Sequence, residues 1–258
     1  MLPAQRHAAI LERISRVGAA SLQELSDHLG VSVSTVRRDV DFLCASAHLE
    51  RTHGGAMLGA PSRRGFEPDA SISSAMFSRE KTAIGRRAAD MVKAGQAVIF
   101  DSGSTTVAAA AAVVEAGLPI TAITNDLRIG SLFSHAAQIS ATLVGGDLRR
   151  GSTTLLGAGT TAALSRLHAD VVFIGSHAID AETLSDTHGE LCEIKSILLQ
   201  CADRVVLLAD SSKFFSRALC AFGKPTDVHC IVTDSNLSDE AREVLLGSGV
   251  TLDIVDVD

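Results

Sequence analysis

Residues 30–40 read Gly30-Val31-Ser32-Val33-Ser34-Thr35-Val36-Arg37-Arg38-Asp39-Val40. Ser32 has the chemistry of a helix N-cap, and a helix starting there would run on through Leu43. At about 100° per residue, Val33, Val36, Val40 and Leu43 fall on one arc, with Arg38 opposite it and Ser34 and Thr35 to either side. Arg37 lies at the edge of the apolar stripe. Two arginines and two hydroxyls near a helix start suit groove edges and phosphates. A merely solvated polar face would show the same residue types, so the flanking sequence has to decide between them.

Upstream, Ile10, Leu11, Ile14 and Val17 form a helical stripe over residues 5–17, which Gly18 closes. Ser21 and Glu24 have capping-box spacing and start a second helix that buries Leu22, Leu25 and Leu29 before Gly30 stops it. A short helix, a glycine turn and a third helix within about 25 residues is the helix–turn–helix layout. Downstream, Leu49, Arg51 and His53 alternate ahead of Gly54-Gly55, as in a two-stranded wing. Arg51 and His53 could then reach a DNA backbone, although His53 would serve equally well as an ordinary surface histidine. Residues 1–57 are therefore expected to be a winged helix–turn–helix that binds double-stranded DNA through Ser32, Ser34, Thr35, Arg37, Arg38, Arg51 and His53.

The net charge of −7 does not favour DNA on its face. Residues 1–57, however, carry six arginines and six acidic side chains, which cancel, so the acidic excess lies further along the chain. A neutral reader depends on base contacts and on pairing of two modules more than on bulk charge. With neither Trp nor Tyr in the chain, stacking on exposed bases is not the expected mode. Five cysteines without C-x-x-C spacing suggest reduced thiols, with no disulfide framework or metal site. No secretory signal and no membrane-spanning run is legible, so a cytoplasmic location is expected.

Residues 58–72, LGAPSRRGFEPDASI, have linker composition, and Arg63 and Arg64 within them could brush DNA. From residue 73 to 258 the pattern changes. Short apolar runs at 97–100, 120–124, 140–144, 171–174, 205–209, 230–233 and 252–255 alternate with helical stretches at 79–93, 105–116, 160–167, 190–202 and 238–247. That alternation predicts an α/β domain on a mainly parallel sheet covered on both faces. Ligands of such sheets sit beyond the carboxyl ends of the strands.

Those ends read Asp101-Ser102-Gly103-Ser104-Thr105-Thr106, Asn125-Asp126, Gly145-Gly146-Asp147, Gly175-Ser176-His177, Asp210-Ser211-Ser212-Lys213 and Asp234. The first follows a strand and opens a helix. Glycine lets the backbone approach a ligand there, and hydroxyls with main-chain N–H groups suit an anion. A Ser/Thr-rich helix cap would look similar. No G-K-[ST] follows, so the loop is not of the Walker type and nucleotide hydrolysis is not expected; nor is a cofactor. Lys81, Arg149 and Lys213 could neutralise a phosphate.

The 30–40 stretch, followed by Leu49-Glu50-Arg51-Thr52-His53-Gly54-Gly55-Ala56, resembles the signature of the DeoR family of sugar-metabolism regulators. The second domain resembles the same family through Glu80-Lys81, the strand-end motifs and Asp210-Ser211-Ser212-Lys213-Phe214. The resemblance implies a recognition helix at Val33–Leu43 and a repressor, active as a homo-oligomer, that a phosphorylated sugar or polyol releases. It also implies an effector domain related in fold to ribose-5-phosphate isomerases and CoA transferases. The effector contacts expected are Lys81, Asp101, Ser102, Gly103, Ser104, Thr105, Thr106, Asn125, Gly145, Gly146, Arg149, His177, Asp210 and Lys213. Two positions depart from the family pattern: His177 stands at an acidic position, and Leu191 stands where a Glu precedes the lysine matched by Lys195. Two other readings remain open. One is a phosphosugar isomerase using Asp101, His177, Asp180 or Glu190 as base. The other is a ligand-independent DNA binder whose second domain only oligomerises.

Overall fold

The computed structural model describes residues 1–46, 48–58 and 69–257, the side chain of Leu58 excepted. The chain divides into two units, Met1–Ser78 and Arg79–Asp258.

In the first unit, α1 (Pro3–Val17), α2 (Leu22–Leu29) and α3 (Val33–Ala45) pack around Ile10, Ile14, Leu25, Val36, Val40 and Leu43. The caps lie where the residue types place them. Ser21 Oγ accepts from Glu24 N–H while Glu24 Oε2 accepts from Ser21 N–H at 2.7 Å. Gly30 ends α2 in the left-handed conformation, and Ser32 caps α3. The wing is β2 (Leu49–Thr52) paired antiparallel with β3 (Gly55–Leu58), Arg51 opposite Ala56. A third strand, β1 (Ala19–Ser21), pairs with the far side of β3, giving the order β1-β3-β2. Three residues after a glycine, the last of them the N-cap Ser21, carry no period of their own; it is β3 that holds them extended. The two wing glycines serve different ends. Gly54 turns at a φ of 97°, and Gly55 lies against the Ala20 carbonyl, where a Cβ would collide.

The expected linker needs correction. Ala70–Ala75 form a helix, α4, whose Ile72 is buried in the core of the first unit. The division falls after Ser78, not at 72, because Ile72 and Met76 pack on the core of the first unit and the Phe77 N–H donates to Glu12 on α1. Arg63 and Arg64 lie outside the described residues.

The second unit is built on a seven-stranded sheet. Its strands are β4 (Ala97–Phe100), β5 (Ile120–Thr124), β6 (Ile139–Leu143), β9 (Ala169–Gly175), β12 (Ala202–Leu208), β14 (Cys230–Asp234) and β15 (Leu252–Val255). They run in the order β15-β14-β12-β9-β4-β5-β6, and every neighbouring pair is parallel. The smaller strands are β7 (Asp147–Leu148), β8 (Leu155–Leu156), β10 (Ala178–Ile179), β11 (Leu184–Asp186) and β13 (Cys220–Gly223). Helices α5 (Ser78–Ala89), α6 (Ser104–Glu115) and α7 (Leu127–Ser134) share one core with the sheet, through Ile84, Ala109, Val113 and Phe133. The other face packs on α8 (Ala158–Leu164), α9 (Gly189–Leu198) and α10 (Asp239–Gly247), through Leu164, Ile194, Leu198 and Leu245.

The seven main strands fall within a few residues of the apolar runs. The sequence pattern missed α7 and the short antiparallel pairs. From β4 the chain builds outward through β5 to β6, then returns to add β9, β12, β14 and β15 on the other side. The topological switch therefore lies between β4 and β9, and ligands of such sheets bind beyond the carboxyl ends at a switch of this kind.

Candidate functional site

On α3 the apolar face is committed to the core, which leaves Ser34, Arg37 and Arg38 exposed. Ser32 Oγ lies 2.9 Å from both Ser34 Oγ and Thr35 Oγ1, so the helix start is a cluster of hydroxyls. Asp39 does not share this surface. Its carboxylate is buried and takes Arg6 Nε at 2.7 Å, a second Arg6 nitrogen at 3.0 Å and His7 Nε2 at 3.1 Å, which ties α3 to α1. Burial pushes the Asp39 carboxyl upward, but the Arg6 and His7 contacts outweigh it and hold the pKa below the ordinary value. In the wing, Arg51 pairs with Asp41 on α3, and His53 is exposed at the turn.

In the second unit, Asp101 follows β4 and is fully buried. Its backbone N–H extends the ladder to Phe173, and its Oδ2 accepts from Gly175 N–H at 3.1 Å. Lys195, from the buried face of α9, reaches the same Oδ2 at 2.7 Å, the Gly175 carbonyl at 2.6 Å and Asp186 Oδ2 at 3.4 Å. Burial disfavours the Lys195 ammonium, but Asp101 and Asp186 outweigh it and raise its pKa above the ordinary lysine value. Thr187, next to Asp186, lies 3.4 Å from an Arg149 guanidinium nitrogen. Arg149, Thr187, Asp186, Lys195 and Asp101 thus form one connected line across the switch point. Asp101 Oδ1 is buried with no hydrogen-bond partner among the described residues.

The loop after Asp101 reaches α6 through Gly103, at a φ of 135°. No side chain caps α6, and the first N–H groups of a helix have no partner inside it. An open helix start favours an anion in general; here Asp126 Oδ2, itself buried, already lies 3.4 Å from the Gly103 N–H at that start.

A family model described as the DeoR-like helix-turn-helix domain matches residues 6–61, and one described as the DeoR C terminal sensor domain matches residues 76–235. The chain belongs to the DeoR family of transcriptional regulators. Its relatives include the HTH-type transcriptional regulator GlpR of Haloferax volcanii, 33% identical over 98% of both chains. A putative aga operon transcriptional repressor of Escherichia coli O157:H7 is 28% identical over 97% of this chain and 93% of that protein. The glycerol-3-phosphate regulon repressor of E. coli K12 is 28% identical over 98% of this chain and 100% of its own. Among solved structures, ribose 5-phosphate isomerase A of Methanocaldococcus jannaschii overlaps 52% of this chain and 53% of its own, with a TM-score of 0.39 and 19% identity.

Within this DeoR-family chain the other expected effector residues take varied places. Ser102, Thr105 and Thr106 are buried, while Ser104 is half-buried. Thr106 Oγ1 donates to the Gly103 carbonyl at 2.8 Å. Asn125 is a strut: its amide donates to the Leu155 carbonyl at 3.0 Å. The Gly145 carbonyl accepts the Thr160 hydroxyl at 2.7 Å, and Gly146 lies against Leu156 and Thr160. His177 is half-buried between β9 and β10. Asp210 is buried two residues past β12, and Lys213 lies in the 3-10 turn that follows. Lys81 is buried on α5 beside Glu80. Leu191 is a core residue one turn before Lys195.

Sequence reasoning gave no role to Lys195, Asp186 or Thr187. Lys195 did leave a signal. It lies on the stripe Leu191-Ile194-Leu198, and a lysine on an apolar helix face needs a buried carboxylate. Asp186 and Thr187 left none, because a short antiparallel strand brings them in.

Proposed function

We propose that this regulator is a cytoplasmic repressor that holds operator DNA through α3 and the wing and lets go when a phosphorylated sugar or polyol occupies the switch point of its sheet. In this reading Arg37, Arg38, Ser34 and Thr35 enter the groove, Ser32 fixes the helix start, and Arg51 and His53 face phosphates. The effector's phosphate meets the Ser102–Thr106 loop and Arg149, with Lys81 and Lys213 as further cations.

The carrying observation is the unsatisfied Asp101 Oδ1 beside the buried Lys195 contact, next to an uncapped helix start. A buried acceptor without a donor is unfavourable, and in this reading a sugar hydroxyl satisfies it once the Ser102–Thr106 loop shifts to admit it. The name of the glycerol-3-phosphate regulon repressor points to the same ligand class. An isomerase is less favoured: of its candidate bases, Asp180 already pairs with Arg217 at 2.8 Å, and the relatives carry the names of transcriptional regulators.

Binding and release are linked reciprocally, so the effector must bind the DNA-free form better. Thermal-shift measurements with a panel of phosphorylated sugars and polyols should give at least one stabilising compound, and that compound should weaken operator binding in gel shifts. A panel in which nothing stabilises the protein or alters operator binding would falsify the proposal.

A further inference from the structure

The two edges of the main sheet differ. β15 carries Asp253, which takes Arg87 Nε at 2.8 Å, and Asp256 follows. That edge carries charge, as guarded sheet edges commonly do. β6 reads Ile139-Ser140-Ala141-Thr142-Leu143, without a charge, proline or glycine. Its last four residues are exposed, and Leu148, just beyond, is exposed as well. Natural sheets usually guard an open edge with charge, proline or a bulge; β6 has none of these.

The backbone on this edge can be assigned. In a parallel pair, alternate residues of a strand turn N–H and C=O away from the neighbour. Val144 N–H bonds the Thr124 carbonyl at 2.8 Å, so Thr142 shares its inward phase, and Ala141 and Leu143 point outward. Ile139 has the outward phase too, but its N–H is already taken by the Ala136 carbonyl.

We propose that β6 joins two copies of this chain, antiparallel about a twofold axis at Thr142. In that register Ala141 of one copy exchanges two backbone hydrogen bonds with Leu143 of the other, and the twofold repeats the exchange. Thr142 meets its own counterpart in a non-hydrogen-bonded pair, the closer of the two antiparallel spacings. The occupant is a second copy because an uncharged strand with two outward residues in matching phase is complementary to itself. Pairing also joins two neutral DNA readers, as symmetric half-sites require. The interface does not depend on the identity of the effector.

The test uses the full chain, with the partly exposed Cys44 and Cys220 replaced by serine. Cα atoms of a non-hydrogen-bonded pair are about 4.5 Å apart, within disulfide range. Thr142→Cys should therefore oxidise to a covalent dimer. Ser140→Cys, which the register places opposite Val144 of the other copy, should not. Thr142→Lys sets like charges face to face and should shift sedimentation from dimer to monomer while leaving the circular dichroism spectrum unchanged. Ala141→Pro removes one outward N–H, leaves the bonds to β5 intact and should do the same. A monomeric wild type, a missing Thr142→Cys crosslink, or a Thr142→Lys protein that still sediments as a dimer overturns the proposal.

Discussion

Lys195 Nζ lies 2.7 Å from the Asp101 carboxylate, and both side chains are buried. One comes from a helix on one face of the sheet and the other from just past the end of β4. The contact thus pins α9 to the switch point, and Asp186 supplies a second carboxylate to the same ammonium at 3.4 Å.

Lys195→Met leaves Asp101 and Asp186 buried without their cation. Removing one partner of a buried pair is expected to cost about 3–5 kcal/mol. Urea unfolding should show this loss, and Lys195→Met combined with Asp101→Asn should lose less than the sum of the single changes. Additive losses would show that the two residues do not act as a pair.

Asp39 sets an acid dependence in the first unit. Its folded pKa is lowered, so the stability it contributes is present above the unfolded value of about 3.9 and is lost as pH falls through the lower folded value. A carboxyl titration by NMR should find Asp39 below the ordinary aspartate range. Asp39→Asn should flatten the acid limb of the stability curve and lower stability at neutral pH. A normal Asp39 titration would contradict the Arg6 and His7 contacts.

Arg38 and Arg51 should behave differently on DNA. Arg38 is exposed on α3, and Arg38→Ala should weaken operator binding by about 1–3 kcal/mol if it reads a base, with a smaller effect on unrelated sequences. Arg51 shares its charge with Asp41. Asp41→Asn should free that charge, tighten binding on all sequences and steepen the salt dependence by about one phosphate contact. An unchanged salt slope would remove Arg51 from the phosphate-contacting set.

Gly103 holds a φ of 135° at the entry to α6, a conformation that other residues adopt only under strain. Gly103→Ala should cost about 1–3 kcal/mol and reduce the thermal shift given by any stabilising phosphosugar. Full stabilisation by that ligand in the variant would place its phosphate elsewhere.

Much of this architecture is legible in the residues because its causes are local. Ser21 with Glu24, Gly30 and Ser32 fix helix ends through hydrogen bonds and φ values within a few residues, and the structure places the ends there. The apolar runs at 97–100 and 120–124 coincide with β4 and β5, since a strand covered on both faces is largely apolar. β1 and α4 were not legible. One needs β3 to hold it extended, and the other is held against the first unit by Ile72 and Met76 in its core and by the Phe77 N–H, which donates to Glu12 on α1.

By itself the sequence determined the helix–turn–helix, the α/β alternation and the loop from Asp101 to Thr106, because period, capping and turn chemistry act between near neighbours. Tertiary structure alone decided the partners of the charges. It turned Asp39 inward to Arg6, set Arg51 against Asp41 and made Asn125 a strut. It also placed Lys195 on Asp101, 94 residues away in the chain. A buried charge requires an opposite one within hydrogen-bond reach, and which one it meets follows from the order of strands in the sheet, which no local pattern records.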